Sequence, residues 1–116
     1  MYNFVFMEGK TTIKWETQVK KGILDFIILL LLKTEDQYGY ELLEHIKERT
    51  GYEMAEGTIY PLLNRLKDDE LIESKWVEME TGMPRKYYTI TAAGRSELNK
   101  MKAFWKTLAG NLEKLI

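Results

Sequence analysis

A chain of 116 residues is of one domain's length, and its 45% hydrophobic content suffices for a core while falling short of a membrane protein's. Its 17 basic and 18 acidic side chains leave a net charge of −1, which excludes polyanion binding through bulk charge and requires any nucleic-acid contact to use localised cations. The absence of cysteine excludes disulfides, thiolate metal sites and thiol redox chemistry.

The opening segment, MYNFVFMEGKTTIKW, places apolar Phe4, Val5 and Phe6 shortly before acidic Glu8. It lacks the charged start, long apolar core and small-residue cleavage site of a signal peptide. An ordered arm, a tail, or a start-codon choice with Met7 as the true start all remain open for it. A first helix is predicted over about Thr17 to Lys33, apolar on every side through Ile23 to Leu32. That run contains Asp25 and is far short of the roughly 20 residues a bilayer needs, so a cytoplasmic protein without a membrane span is expected. A helix apolar all round has to be buried all round. In so small a chain one face falls to the core and the other to a second subunit, through Leu24, Ile28 and Leu31.

A second helix carries the one histidine, His45, with Glu41 a turn before it and Arg49 a turn after. One imidazole and a carboxylate cannot furnish the three or four ligands of a zinc site, so a surface or partly packed histidine is expected and no metal. Next, Ile59, Leu62, Leu63 and Leu66 fall at i, i+3, i+4 and i+7 and share one helical face. Gly57, Thr58, Tyr60, Pro61, Asn64 and Arg65 point largely away, crowded near the helix start. This is the part of a recognition helix that lies nearest the base edges. Pro61 removes one helical hydrogen bond and crowds the carbonyl of Gly57, whose backbone freedom relieves the clash; alternatively, Pro61 marks the helix start.

After Asp69 the period changes to two. Ile72 to Met79 and Lys86 to Ile90 read as two strands of a hairpin, with Thr81, Gly82, Met83 and Pro84 as the turn. Arg85 and Lys86 then set two cations at the return, within reach of phosphate. Taken in isolation, such a pair also reads as a solvated strand edge. Lys14, Lys20, Lys21, Lys75, Arg85, Lys86 and Arg95 are expected to share one face, apart from Glu41, Glu44, Glu48 and Glu80. The last helix, with Thr91 as N-cap and Gly94 packing closely in its first turn, carries Leu98, Met101, Trp105, Leu108, Leu112 and Leu115. Steps of 3, 4, 3, 4 and 3 make a heptad seam that needs a partner helix.

Helix, short ribbon and basic turn in this order form the pattern of a winged helix. GTIYPLLNRL, the Leu71–Ile72 step, PRKYYTIT and Gly94, with KGILDFIILLLL and YGYELLEHI upstream, resemble the PadR family of bacterial transcriptional regulators. The resemblance spans about Lys20 to the C-terminus. It implies a winged-helix homodimer of the short branch, with a single C-terminal helix, most of whose relatives are repressors and some of which respond to phenolic or drug-like molecules. In the multidrug-sensing branch paired tryptophans sandwich flat aromatic compounds. By resemblance Trp105, with Phe104 beside it, is a candidate effector site, the alternative being ordinary interface core. Family members often carry a serine-like cap before the recognition helix, whereas Met54 and Ala55 stand here. Glu56, near the positive helix end, is expected to do part of that work.

The expected fold is mainly α: a winged helix-turn-helix with a two-stranded wing, an N-terminal helix and a long C-terminal dimerisation helix. Residues 1–15 form the extension, 16–91 the winged-helix domain and 92–116 the dimerisation helix. The expected function is sequence-specific binding of double-stranded DNA as a homodimeric repressor on a pseudo-palindrome, with release by a small aromatic effector. Thr58, Tyr60, Pro61, Asn64, Arg65, Arg85 and Lys86 are the DNA contacts. The alternative is a winged helix serving protein interaction or ligand binding without DNA affinity. Without a nucleophile–histidine motif or a glycine-rich phosphate cradle, neither an enzyme nor a cofactor is expected.

Overall fold

Leu24, Ile27, Ile28, Leu29 and Leu32 are buried because the short helix that carries them is walled in on several sides. The computed structural model describes residues 2–116, with side chains from Thr11 onward. The elements are α1 (Tyr2–Gly22), α2 (Leu24–Leu32), β1 (Gln37–Tyr38), α3 (Gly39–Thr50), α4 (Glu56–Asp68), β2 (Ile72–Val77), β3 (Arg85–Ile90) and α5 (Ala92–Leu115). Packed on α3, β3 and α5, α2 buries its stripe with Leu42, Ile46, Ile59, Leu63, Leu66, Ile72, Tyr88 and Ile90.

Three sequence expectations are corrected here. The single first helix from Thr17 to Lys33 is two helices, since Ile23 leaves helical geometry (φ −109°, ψ 8°) between α1 and α2. α1 begins at Tyr2 and continues through the boundary expected near residue 15. The side-chain readings for Phe4, Val5 and Phe6 lie outside the described residues. Leu24, Ile28 and Leu98 do not face a second subunit: all three are buried by their own protomer, because α2 sits at the centre of the core and Leu98 packs into that cluster. Leu31 and Met101 are half-buried at its margin.

The sheet gains a strand that alternation alone did not reveal. β1 is two residues long and pairs with β3, giving the antiparallel order β1-β3-β2. Gln37 lies opposite Tyr88, and Ile72 opposite Ile90. Gln37 is buried, and its needs are met locally. Its Nε2 donates to the Leu31 carbonyl at 3.0 Å, and its Oε1 lies 2.6 Å from His45 Nδ1. An amide oxygen can only accept, so Nδ1 carries the proton, and His45 is the partly packed histidine expected.

The wing turns at Gly82, whose φ of +85° suits a residue without Cβ and whose N–H donates to the Met79 carbonyl at 2.9 Å. Thr91 caps α5, accepting from the Gly94 N–H at 2.9 Å while its own hydroxyl donates to the Glu70 carbonyl at 2.7 Å. Gly94 is required at that spot, since an added Cβ would sit 2.0 Å from the Leu71 carbonyl oxygen.

Candidate nucleic-acid interface

The recognition helix α4 buries Ile59, Leu63 and Leu66 and half-buries Leu62, so the stripe read from spacing is its inner face. Thr58, Tyr60, Pro61 and Asn64 are exposed on the outer face. The helix starts at Glu56, ahead of Pro61, which places Gly57 to Tyr60 inside the first turns and sets aside the later start. Ala55 at the N-cap makes no side-chain cap, and Glu56 lies in the first turn, where the helix dipole favours a carboxylate.

Opposite that face stands the wing. Between them runs an open groove of about 440 Å³, lined by Tyr38, Tyr60, Asn64, Trp76, Arg85 and Lys86. The Arg85 guanidinium lies 4.5 Å from the Tyr38 ring centroid, and Tyr38 meets Tyr87 edge to face at 5.4 Å. Lys86 Nζ lies 5.9 Å from the rings of both Trp76 and Tyr88. Burial, followed by the proximity of Tyr60, raises the Tyr88 phenol above its ordinary range, which keeps it neutral beneath the groove. Tyr60 lies over the buried Gly39, where a Cβ would come within 2.6 Å of its hydroxyl. Cations on aromatic faces beside tyrosine hydroxyls suit a phosphate backbone running along the groove.

Tyr38 and Trp76 were missed as groove residues in the sequence. β1 is too short to show a period, and only its pairing with β3 brings Tyr38 under Arg85. The Tyr-Gly-Tyr run at 38–40 held a usable signal, a glycine between aromatics where another residue has to approach. Arg65 has a partner that its spacing did not reveal. Its Nη2 lies 2.6 and 2.5 Å from the two carboxylate oxygens of Asp25, an ion pair with α2 made by a side chain that stays 58% exposed. Three of the cations expected on one face have local partners: Lys75 pairs with Asp36 at 3.7 Å, Arg95 donates to the Lys33 carbonyl, and Lys20 lies over Tyr52.

A second concave surface lies on α5. Phe26 and Trp105 stand 6.1 Å apart between ring centroids, and with Ile23, Met101, Phe104 and Leu108 they line an open groove of about 400 Å³. The heptad stripe of α5 is exposed from Trp105 onward, at 40% for Trp105, 36% for Leu108, 48% for Leu112 and 82% for Leu115. Among the described residues no cluster of His, Cys, Asp and Glu could hold a metal ion, and no helix is long and apolar enough to cross a membrane.

Helix-turn-helix of α3 and α4, wing of β2 and β3, and flanking helices define a winged-helix protein. Residues 28–100 match the model of the transcriptional regulator PadR-like family. The chain belongs to that family and is a DNA-binding transcriptional regulator. It is similar to a PadR family regulator of Eggerthella lenta at 29% identity, with a TM-score of 0.85, covering 95% of this chain and 96% of that one. A PadR-like regulator of Bacillus cereus shares 36% identity with a TM-score of 0.78 over 84% of this chain and 95% of the other. Bacillus subtilis PadR, a negative transcriptional regulator solved in complex with operator DNA, aligns at 31% identity and a TM-score of 0.63. That alignment covers 68% of this chain but only 45% of PadR, so the chain spans under half of that relative.

Proposed function

We propose that the chain is a repressor that binds a pseudo-palindromic operator as a homodimer and is released by a small planar aromatic effector. The observation that carries this reading is the exposed stripe of α5, in which Trp105, Leu108, Leu112 and Leu115 all stand outside their own core. Burying such side chains stabilises by about 1.5 to 3 kcal/mol each, so a second copy laid along the stripe offsets the entropy of association. Met101, half-buried one turn before Trp105, extends that interface toward the core.

Two heads held by one rigid dimer have to meet successive major grooves about 34 to 36 Å apart. Thr58, Tyr60, Pro61 and Asn64 then face base edges, and Arg85 and Lys86 reach phosphate from the wing. Repression is favoured by the Bacillus subtilis relative, a negative regulator. For the effector, the groove beside Phe104 and Trp105 is mostly apolar and aromatic, and a flat ring between the dimer helices alters head spacing. Operator affinity then changes only by the effector's differential affinity for the two spacings.

Gel shifts on the region upstream of its own gene, at two salt concentrations and alongside light scattering, test the reading. A dimer that retards this fragment and releases it on adding a planar cationic dye is the expected result. A lone folded subunit by light scattering sinks the dimer, and a dye that leaves Trp105 fluorescence unquenched at high micromolar concentration sinks the effector.

A further inference from the structure

Asp25 has the wrong sign for a residue beside a DNA-reading helix. A carboxylate there opposes phosphate, and on charge alone its removal strengthens binding to every duplex. Yet both of its oxygens are engaged by Arg65 of α4, at 2.6 and 2.5 Å. We infer that the Asp25–Arg65 pair is a positioning strut, through which an acidic residue raises operator affinity by fixing how the recognition helix sits. The inference rests on the operator-reading role proposed above and extends it to α2.

The recognition helix needs such a strut because its own start is weakly determined. Ala55 supplies no side-chain cap, and Pro61 removes the amide that would bond the Gly57 carbonyl. The buried stripe of Ile59, Leu63 and Leu66 fixes which face points inward. A helix seated on one stripe retains a rocking freedom about it, which a contact on its flank removes. Arg65 stands one turn beyond Pro61, so its anchor holds the helix just past the weakened segment. Asp25, in turn, precedes Phe26, whose ring lies against Trp105 of α5. α2 thus grips the recognition helix with one residue and the C-terminal helix with the next. The pair is part-exposed, 34% for Asp25 and 58% for Arg65, so its effect on global stability is small and its effect on orientation is what binding reads.

The test uses an operator selected from a random duplex library by the unaltered chain, and a scrambled duplex of equal length. Both are titrated at two salt concentrations against Asp25→Asn, Asp25→Glu, Arg65→Gln and the Asp25→Asn/Arg65→Gln double variant, with circular-dichroism melts to check folding. Asp25→Asn is expected to lower operator affinity about three- to tenfold while binding of the scrambled duplex holds or rises. Asp25→Glu keeps most of the operator affinity, and the double variant loses no more than either single one. The strut is overturned if Asp25→Asn tightens both duplexes alike and Arg65→Gln weakens both with a salt slope lowered by about one, the signature of a phosphate contact. An unaltered chain that enriches no sequence at all instead defeats the operator reading, and the strut with it.

Discussion

Gly39 and Tyr60 compete for one small volume at the base of the recognition helix. A methyl group on Gly39 falls 2.6 Å from the Tyr60 hydroxyl, which is the far end of a side chain that can swing into solvent. Gly39→Ala is therefore expected to leave the thermal midpoint within a few degrees while weakening operator binding several-fold, as a paired melt and titration will read. Gly94→Ala is the contrasting case. Its Cβ meets the Leu71 backbone carbonyl at 2.0 Å and Ile90 Cγ1 at 2.7 Å, and neither can step aside. Overpacking of this kind costs about 1 to 3 kcal/mol or more, so its urea midpoint should fall well below that of Gly39→Ala. The importance of Gly94 was legible in the sequence, because a glycine after an N-cap threonine breaks the helical preference for a reason. For Gly39 the glycine between two tyrosines marked a close approach, but nothing along the chain says that the approaching residue is a tyrosine 21 positions later.

At the scale of elements, the proposed division of DNA binding between the wing and the recognition helix makes separate predictions for each. Arg85 and Lys86 occupy adjacent positions on β3 and rest over different rings, Tyr38 for one and Trp76 and Tyr88 for the other. Each alanine substitution is expected to weaken binding on all sequences and to lower the salt slope by about one, measured by titration across a salt series. Asn64, exposed on α4, should behave differently. Asn64→Ala relaxes preference at one base position by about 1 to 3 kcal/mol, and a uniform loss over a panel of single-base operator variants removes it from base reading. The period-3.6 stripe of α4 and the heptad of α5 were visible in the chain because one-sided burial imposes a repeat. The break at Ile23 and the two-residue β1 were not, because an all-apolar run has no phase to interrupt and two residues have no period.

For the whole molecule, the exposed stripe of α5 is where the proposed pairing of two heads is tested. Leu112 is 48% exposed in the protomer, so Leu112→Asp does not disturb the core and acts only where a second copy covers it. The expected outcome is a folded monomer by light scattering, with operator affinity reduced at least tenfold because two half-sites are no longer held together. An unchanged dimer places the interface elsewhere. By itself the sequence determined which faces are apolar, where the recognition helix and the wing lie, and that the closing helix carries a seam, because these follow from local periodicity and turn chemistry. Only the tertiary structure decided that Leu24, Ile28 and Leu98 belong to the core, that Arg65 holds Asp25, and that Tyr38 lies beneath Arg85. The reason is physical: periodicity states that a side chain is to be buried or paired, whereas its partner is chosen by long-range packing of segments that the chain order keeps apart.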